Sequence, residues 1–274
     1  MSLCDLIPAC GLPPGESALA GQGVNWLYGD SLKRYRQHSG HPIYGENDIV
    51  YRFNSLGYRC PEFDVAADIR IVAIGCSHAF GLGLPQEAIF HELFAEWLRE
   101  KSGKSVVLWN LAKCGASNDY ISRLLYLAVP QLDPQIVLIN FTHVARREYV
   151  SVQNSPMSYN PRITPTDAVT RDIFRHFAAL SSQFDDQLNF FKNCKAVEHV
   201  LSGRVWLYSR RVGKELDAMA AEVMAAHMDL RRFAGRLPLV DRGRDGGHPG
   251  PESHRQLAQL YWAKFTELCP DGKF

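Results

Sequence analysis

The sequence carries almost no net charge. Its 30 Lys and Arg residues against 29 Asp and Glu leave +1, so the basic footprint that nucleic acid or an anionic membrane surface demands is missing. No apolar run comes near the ~20 residues that a bilayer span needs. The opening Met-Ser-Leu-Cys-Asp-Leu-Ile-Pro has no basic start and no long apolar core. The expectation is therefore a cytoplasmic protein with no secretory leader and no nucleic-acid or membrane partner. The seven cysteines (Cys4, Cys10, Cys60, Cys76, Cys114, Cys194 and Cys269) form no Cys-x-x-Cys pair. Their scattered, odd-numbered spacing argues against structural zinc and predicts buried, reduced thiols. No internal repeat or low-complexity segment occurs.

What is present fits a globular chain. Hydrophobic residues make up 46% of 274 positions, enough for one large domain with a sizeable core. An apolar run from Ile69 to Ile74 ends at Gly75, Ser77 follows, and a glycine-rich segment runs to Gly83 before a helical pattern begins after Pro85. This reads as strand, tight turn and helix, with a serine where open parallel sheets collect functional groups. Residues 87–101 place Phe90, Leu93, Phe94, Trp97 and Leu98 on one helical stripe. Residues 106–110 read as a second strand, and Ile121, Leu124, Leu125 and Ala128 as a helix that Pro130 and Pro134 break. Residues 136–140 are a third strand whose unbroken apolar character fits a sheet covered on both faces.

Residues 150–180 are polar and contain three prolines, and the expectation is a long irregular insertion, a candidate lid bounded at 150–182. Residues 183–201 and 214–234 read as helical around a strand at 205–208, and residues 237–240 as a short fifth strand. A last helix after Pro251 is expected to turn Leu257, Leu260, Tyr261, Phe265 and Leu268 inward. Strands alternating with helices give an α/β doubly wound fold. Residues 1–60, rich in Gly, Pro, Tyr and His, read as an N-terminal extension packed on the core, with a structural role favoured over a role in covering a cleft.

Three further features carry chemistry. A serine hydroxyl is a weak nucleophile unless a base takes its proton, and Asp245-Gly-Gly-His248-Pro249 supplies a candidate base with a carboxylate to fix its tautomer. Gly246 and Gly247 let the two side chains face one way. Asn110-Leu-Ala-Lys-Cys-Gly115 is the third piece. The order Ser-turn, Asn-x-x-x-x-Gly, Asp-x-x-His-Pro resembles the SGNH (GDSL-like) hydrolase family over roughly residues 69–262, in a subgroup with Gly75-Cys-Ser77-His78 in place of Gly-Asp-Ser. A Tyr51–Glu62 stretch with Asn54-Ser-x-Gly-Tyr-Arg59 resembles a segment that precedes the first block in bacterial members. A Gly-x-Ser-x-Gly elbow is absent because position 79 is alanine.

The resemblance implies a three-layer, flavodoxin-like α/β fold with about five parallel strands and helices on both faces, spanning residues 61–274. It implies a serine esterase acting on a small acyl ester, such as an O-acetylated sugar or a biosynthetic intermediate, through an acyl-serine, with Ser77, Asp245 and His248 catalytic and no metal or organic cofactor. The family's oxyanion donors are the N–H groups of the serine and the block-two glycine, here Ser77 and Gly115, and a block-three asparagine. That asparagine is not matched: Thr142 or Val144 falls at its position, and Asn140 falls too early. Thr142, His143 and Asn118 are candidate replacements, with Asn118 and Thr142 ahead. Asn140, His143 and Arg146 are candidate substrate contacts.

His78 reads as a packing residue rather than a second base. The Arg146-Arg147-Glu148 stretch, Arg242 and Arg244 read as internal or solvated, with anion binding as the alternative. His91, His176, His199, His227 and His254 lack ligand spacing. Two alternatives stand beside hydrolysis: acyl transfer by the same triad, and a non-catalytic binding domain.

Overall fold

The computed structural model describes residues 12–150, 156–161, 164–210 and 216–270. The early segment holds two antiparallel two-residue strands, β1 (Gly23–Val24) and β2 (Tyr51–Arg52), around a short helix α1 (Leu32–Gln37). Ser31 caps that helix, its side chain accepting from Arg34 N–H.

The centre is a five-stranded parallel sheet of β3 (Ile69–Gly75), β4 (Val106–Asn110), β5 (Ile136–Phe141), β8 (Val205–Arg210) and β9 (Phe233–Arg236) in the order β4-β3-β5-β8-β9. Because side chains alternate faces, each apolar strand feeds two cores. Val72, Ile74, Val137 and Ile139 pack under α4 (Asn118–Leu132), α6 (Gln183–Val200) and α7 (Leu216–His227). Ile71, Ala73, Ile136 and Leu138 pack under α3 (Phe90–Ser102) and α8 (Pro251–Leu268). This is the three-layer arrangement expected. The strand order reverses between β3 and β5, which is the switch point where such sheets open a crevice at their carboxyl ends.

Several local expectations are corrected. The fifth strand is Phe233–Arg236, not 237–240. Leu237 N–H still bonds to Arg210 O at 2.9 Å, but Pro238 has no N–H to continue the ladder, and Leu239 and Val240 are exposed. The helix expected over 214–234 ends at His227, and a 3₁₀ turn at Leu230–Arg232 precedes that strand. Pro130 does not break α4, which runs to Leu132. Pro130 and Tyr126 both lie on the solvent side, where water can take up the carbonyl whose partner N–H proline lacks. Asp133, in the left-handed region, and Pro134 then end the helix. Leu260, expected inward, lies against Gly235 at the sheet edge and stays 38% exposed.

The stretch expected to be irregular contains a hairpin of β6 (Arg147–Val150) and β7 (Pro156–Tyr159) and the helix α5 (Ala168–Leu180). No residue of α5 is buried; it rests on the hairpin through Phe177 against Tyr149 and Tyr159, centroids 5.6 and 4.6 Å apart. Arg147 pairs internally with Asp185 and Asp186, at 2.6 and 3.0 Å. Among the described residues five cysteines are free thiols, four of them buried; Cys4 and Cys10 lie outside those residues.

Candidate active site

Strand β3 ends in a glycine for a steric reason. A Cβ on Gly75 would stand 2.8 Å from both Ala79 Cβ and the Asn140 carbonyl. The chain therefore turns tightly into a four-residue helix, α2 (Ser77–Phe80), with Ser77 at its first position. Asn110, at the end of β4, braces this helix by donating from Nδ2 to Ala79 O at 3.2 Å. His91 bonds to the same carbonyl through Nε2 at 2.8 Å.

The Asp245–His248 loop folds as its glycines suggest. Gly246 has φ +67°. Asp245 Oδ1 accepts from Gly247 N–H at 3.2 Å and His248 N–H at 3.0 Å, and its Oδ2 lies 2.6 Å from His248 Nδ1. Nδ1 thus carries the proton, which leaves Nε2 as the acceptor. That atom is 2.9 Å from Ser77 Oγ. The Asp245 carboxylate is 1% exposed. Burial pushes its pKa up, but the hydrogen bonds from the His248 ring and from the His248 and Gly247 N–H groups outweigh burial and leave it below the ordinary carboxylate value. His78 packs edge-on against the His248 ring, centroids 5.6 Å apart, the packing role expected.

Gly115 has φ +79° and open space where a Cβ would stand. Among the described residues no hydrogen bond engages the Ser77 or Gly115 N–H groups. Asn118 is committed elsewhere: its Oδ1 accepts from Thr142 N–H at 3.0 Å and its Nδ2 donates to the Thr142 and His143 carbonyls at 3.3 and 3.5 Å. Its amide thus braces the end of β5. Asn140 donates to Ser209 Oγ at 2.7 Å, buried beneath α8, and so faces away from the crevice. His143 turns its Nδ1 to Ala145 N–H at 3.3 Å. Thr142 follows β5 directly and is buried, its Oγ1 accepting from Arg146 Nη1 at 3.1 Å; the same nitrogen donates to Ala116 O at 3.3 Å. No carboxylate pairs with Arg146 among the described residues.

The early segment contributes residues that the sequence did not single out. Arg59 is 1% exposed and donates to Phe80 O, Gly81 O and Leu84 O at 3.0, 2.8 and 2.8 Å, closing the far end of the Ser77 helix. Burial drives its pKa down to about 10. Arg244 is an internal ion-pair residue with Asp30 at 2.7 Å, not an anion recruiter. The Asn54–Arg59 pattern signalled Arg59; nothing local signalled Asp30. Among the described residues no group of three or more His, Cys, Asp or Glu side chains could hold a metal ion, and no helix is long and apolar enough to cross a membrane.

No protein-family model matches the chain, and no curated protein matches by sequence. Several solved structures resemble it. They include the psychrotrophic esterase EstA from Pseudoalteromonas sp., at 14% identity and TM-score 0.47 over 74% of this chain and 100% of that one. A family two carbohydrate esterase from Clostridium thermocellum matches at 14% and 0.47 over 77% and 66%. A lipase/acylhydrolase from Enterococcus faecalis matches at 15% and 0.43 over 73% and 96%.

Proposed function

We propose that this protein is a serine esterase that cleaves a small acyl ester through an acyl-serine intermediate. The observation that carries the reading is the relay of 2.9 Å from Ser77 Oγ to His248 Nε2 and 2.6 Å from His248 Nδ1 to Asp245 Oδ2. Ser77 Oγ attacks the ester carbonyl and its proton passes to His248 Nε2. The tetrahedral oxyanion takes the Ser77 and Gly115 N–H groups, with the Thr142 hydroxyl as the third donor. Collapse breaks the ester C–O bond, and His248 returns the proton to the departing alcohol. Water then repeats the cycle on the acyl-serine, giving the acid and free Ser77. Asp245 holds the His248 tautomer and offsets the charge of the imidazolium. Arg146, with no carboxylate partner among the described residues, stands at the acyl side as a contact for a polar or anionic acyl group.

A second reading keeps the triad and replaces water by an alcohol or amine acceptor. It is motivated by the β6–β7 hairpin and α5, which follow β5 in the chain and could serve to keep water out, as acyl transfer needs. The test is labelling with a fluorophosphonate, read by intact mass. One adduct on the wild type and none on Ser77→Ala is expected, followed by turnover on an ester panel with and without added acceptors. Absence of an adduct on folded wild type, or turnover by Ser77→Ala, would overturn the esterase reading.

A further inference from the structure

Arg244 stands immediately before Asp245 and is sealed from solvent together with Asp30, both side chains having zero exposure. Its Nη2 donates to Asp30 Oδ2 at 2.7 Å and its Nε to Oδ1 at 3.1 Å. Its Nη1 donates to Glu46 O at 3.1 Å, Nη2 also reaches Asn25 O, and the Trp26 ring lies 3.9 Å from the guanidinium. Asp30 Oδ2 accepts from the Tyr51 hydroxyl at 2.5 Å, and that hydroxyl accepts from Gly83 N–H at 2.9 Å. Gly83 O in turn accepts from Arg244 N–H at 2.9 Å, which closes a ring of contacts.

A buried ion pair is a poor device for stability alone, since desolvating two charges offsets most of their attraction; its best-attested use is to select one arrangement among several. The arrangement selected here is the approach of two loops. One carries Gly83 just past the Ser77 helix; the other carries Asp245 and His248. The bond between Ser77 and His248 spans the same two loops, and a misplacement of ~1 Å at such a bond costs about 10²-fold in rate.

We propose that Asp30, Tyr51 and Arg244 form a clamp through which the segment ahead of the core sheet sets the distance between Ser77 and His248. The proposal deepens the triad reading and rests on it. All three are positioning residues, since they act through Gly83 and Asp245 and touch none of the reacting atoms.

Tyr51→Phe removes only the hydroxyl and keeps the ring that lies 4.6 Å from Arg59 and stacks on Phe80. Asp30→Asn keeps the shape and removes the charge. Both should fold, shown by a cooperative melt and unchanged circular dichroism. Two measurements then follow: the rate of Ser77 labelling by a fluorophosphonate as a function of pH, and the downfield proton signal of His248 Nδ1–H, assigned with His248→Asn. The expected result is a labelling rate at least tenfold lower, with the Nδ1–H signal shifted or broadened. The other groups facing His248, namely His78 and the Arg34 and Arg242 side chains against Gly247, are untouched by either substitution.

Variants that melt earlier but keep the wild-type rate and proton signal would overturn the clamp and leave a purely structural ion pair. A wild type that does not label, with variants that still perturb the Nδ1–H signal, would sink the esterase reading and leave the clamp standing.

Discussion

Gly83 leaves the space that the Asp245 carboxylate fills: a Cβ at position 83 would stand 2.9 Å from Asp245 Oδ1 and 3.2 Å from Arg244 N. The residue also has φ +83°, a conformation that disfavours side chains by about 1–2 kcal/mol. Gly83→Ala therefore meets both a strained backbone and the Asp245 carboxylate, the acid of the proposed triad. The expected outcome is a loss of about 2–3 kcal/mol in stability and a fall in ester turnover of about 10². Calorimetry and steady-state rates on the same preparation check both.

Acid should weaken the fold through its buried histidines. Burial pushes the His91 and His254 imidazoles down to about 3, so both are neutral in the folded protein, and His254 Nδ1 accepts from Phe90 N–H at 3.2 Å. In the unfolded chain each binds a proton below about pH 6.5. Between those values the unfolded state holds more protons, so stability is full above pH 6.5 and is lost as pH falls toward 3, by an amount on the order of several kcal/mol. Asp241 and Asp245 lie below their ordinary values, so their contributions persist until pH drops under about 4. The loss between pH 6.5 and 4 belongs to the histidines and is opposed by Glu92 and Asp186, which burial holds above their ordinary values. Urea unfolding across that range should show it, and His254→Gln, which can still accept from Phe90, should flatten it.

The parts of the site that were legible in the sequence are the ones built from neighbours. Gly75 and Ser77 share a turn, Asp245 and His248 share a loop, and the strands before them are apolar on both faces, so local pattern and local geometry agree. Asp30 and Arg244 are 214 residues apart, and a lone aspartate after Tyr28 and Gly29 has no period or motif to flag it. The bonds that Asn118 makes were not legible, because chemical type alone does not show a side chain's partners. The β5 end presents unpaired backbone groups, and the Asn118 amide satisfies them. The apolar stretch at 237–240 read as strand because hydropathy does not register the N–H that Pro238 lacks.

Gly115 separates stability from chemistry. A Cβ there meets nothing within 4 Å, so Gly115→Ala carries only the backbone penalty of φ +79°, about 1 kcal/mol. Melting should fall by a few degrees. Turnover should fall by about 10²–10³ if the Gly115 N–H is an oxyanion donor, because rotating that peptide removes it. An unchanged kcat with the small drop in melting temperature would remove Gly115 from the hole.

The third donor can be decided between Thr142 and Asn118 by how each fails. Thr142 is the first residue past β5, and its Oγ1 accepts from Arg146 Nη1. A hydroxyl that accepts from a cation becomes a stronger donor with its own proton, and that proton is the one available to an oxyanion. Thr142→Val keeps the volume and the branched shape. It should lower kcat about 10- to 10²-fold, within the range typical of a lost donor or less, with KM little changed, since the interaction exists only in the transition state. Asn118→Ala removes the bonds to Thr142 N–H and to the Thr142 and His143 carbonyls, leaving buried backbone groups unpaired. It should cost about 1–3 kcal/mol in stability and lower turnover only as far as the end of β5 moves. If instead Asn118→Ala melts like wild type and loses turnover while Thr142→Val is silent, the amide turns in solution toward the substrate and the assignment reverses.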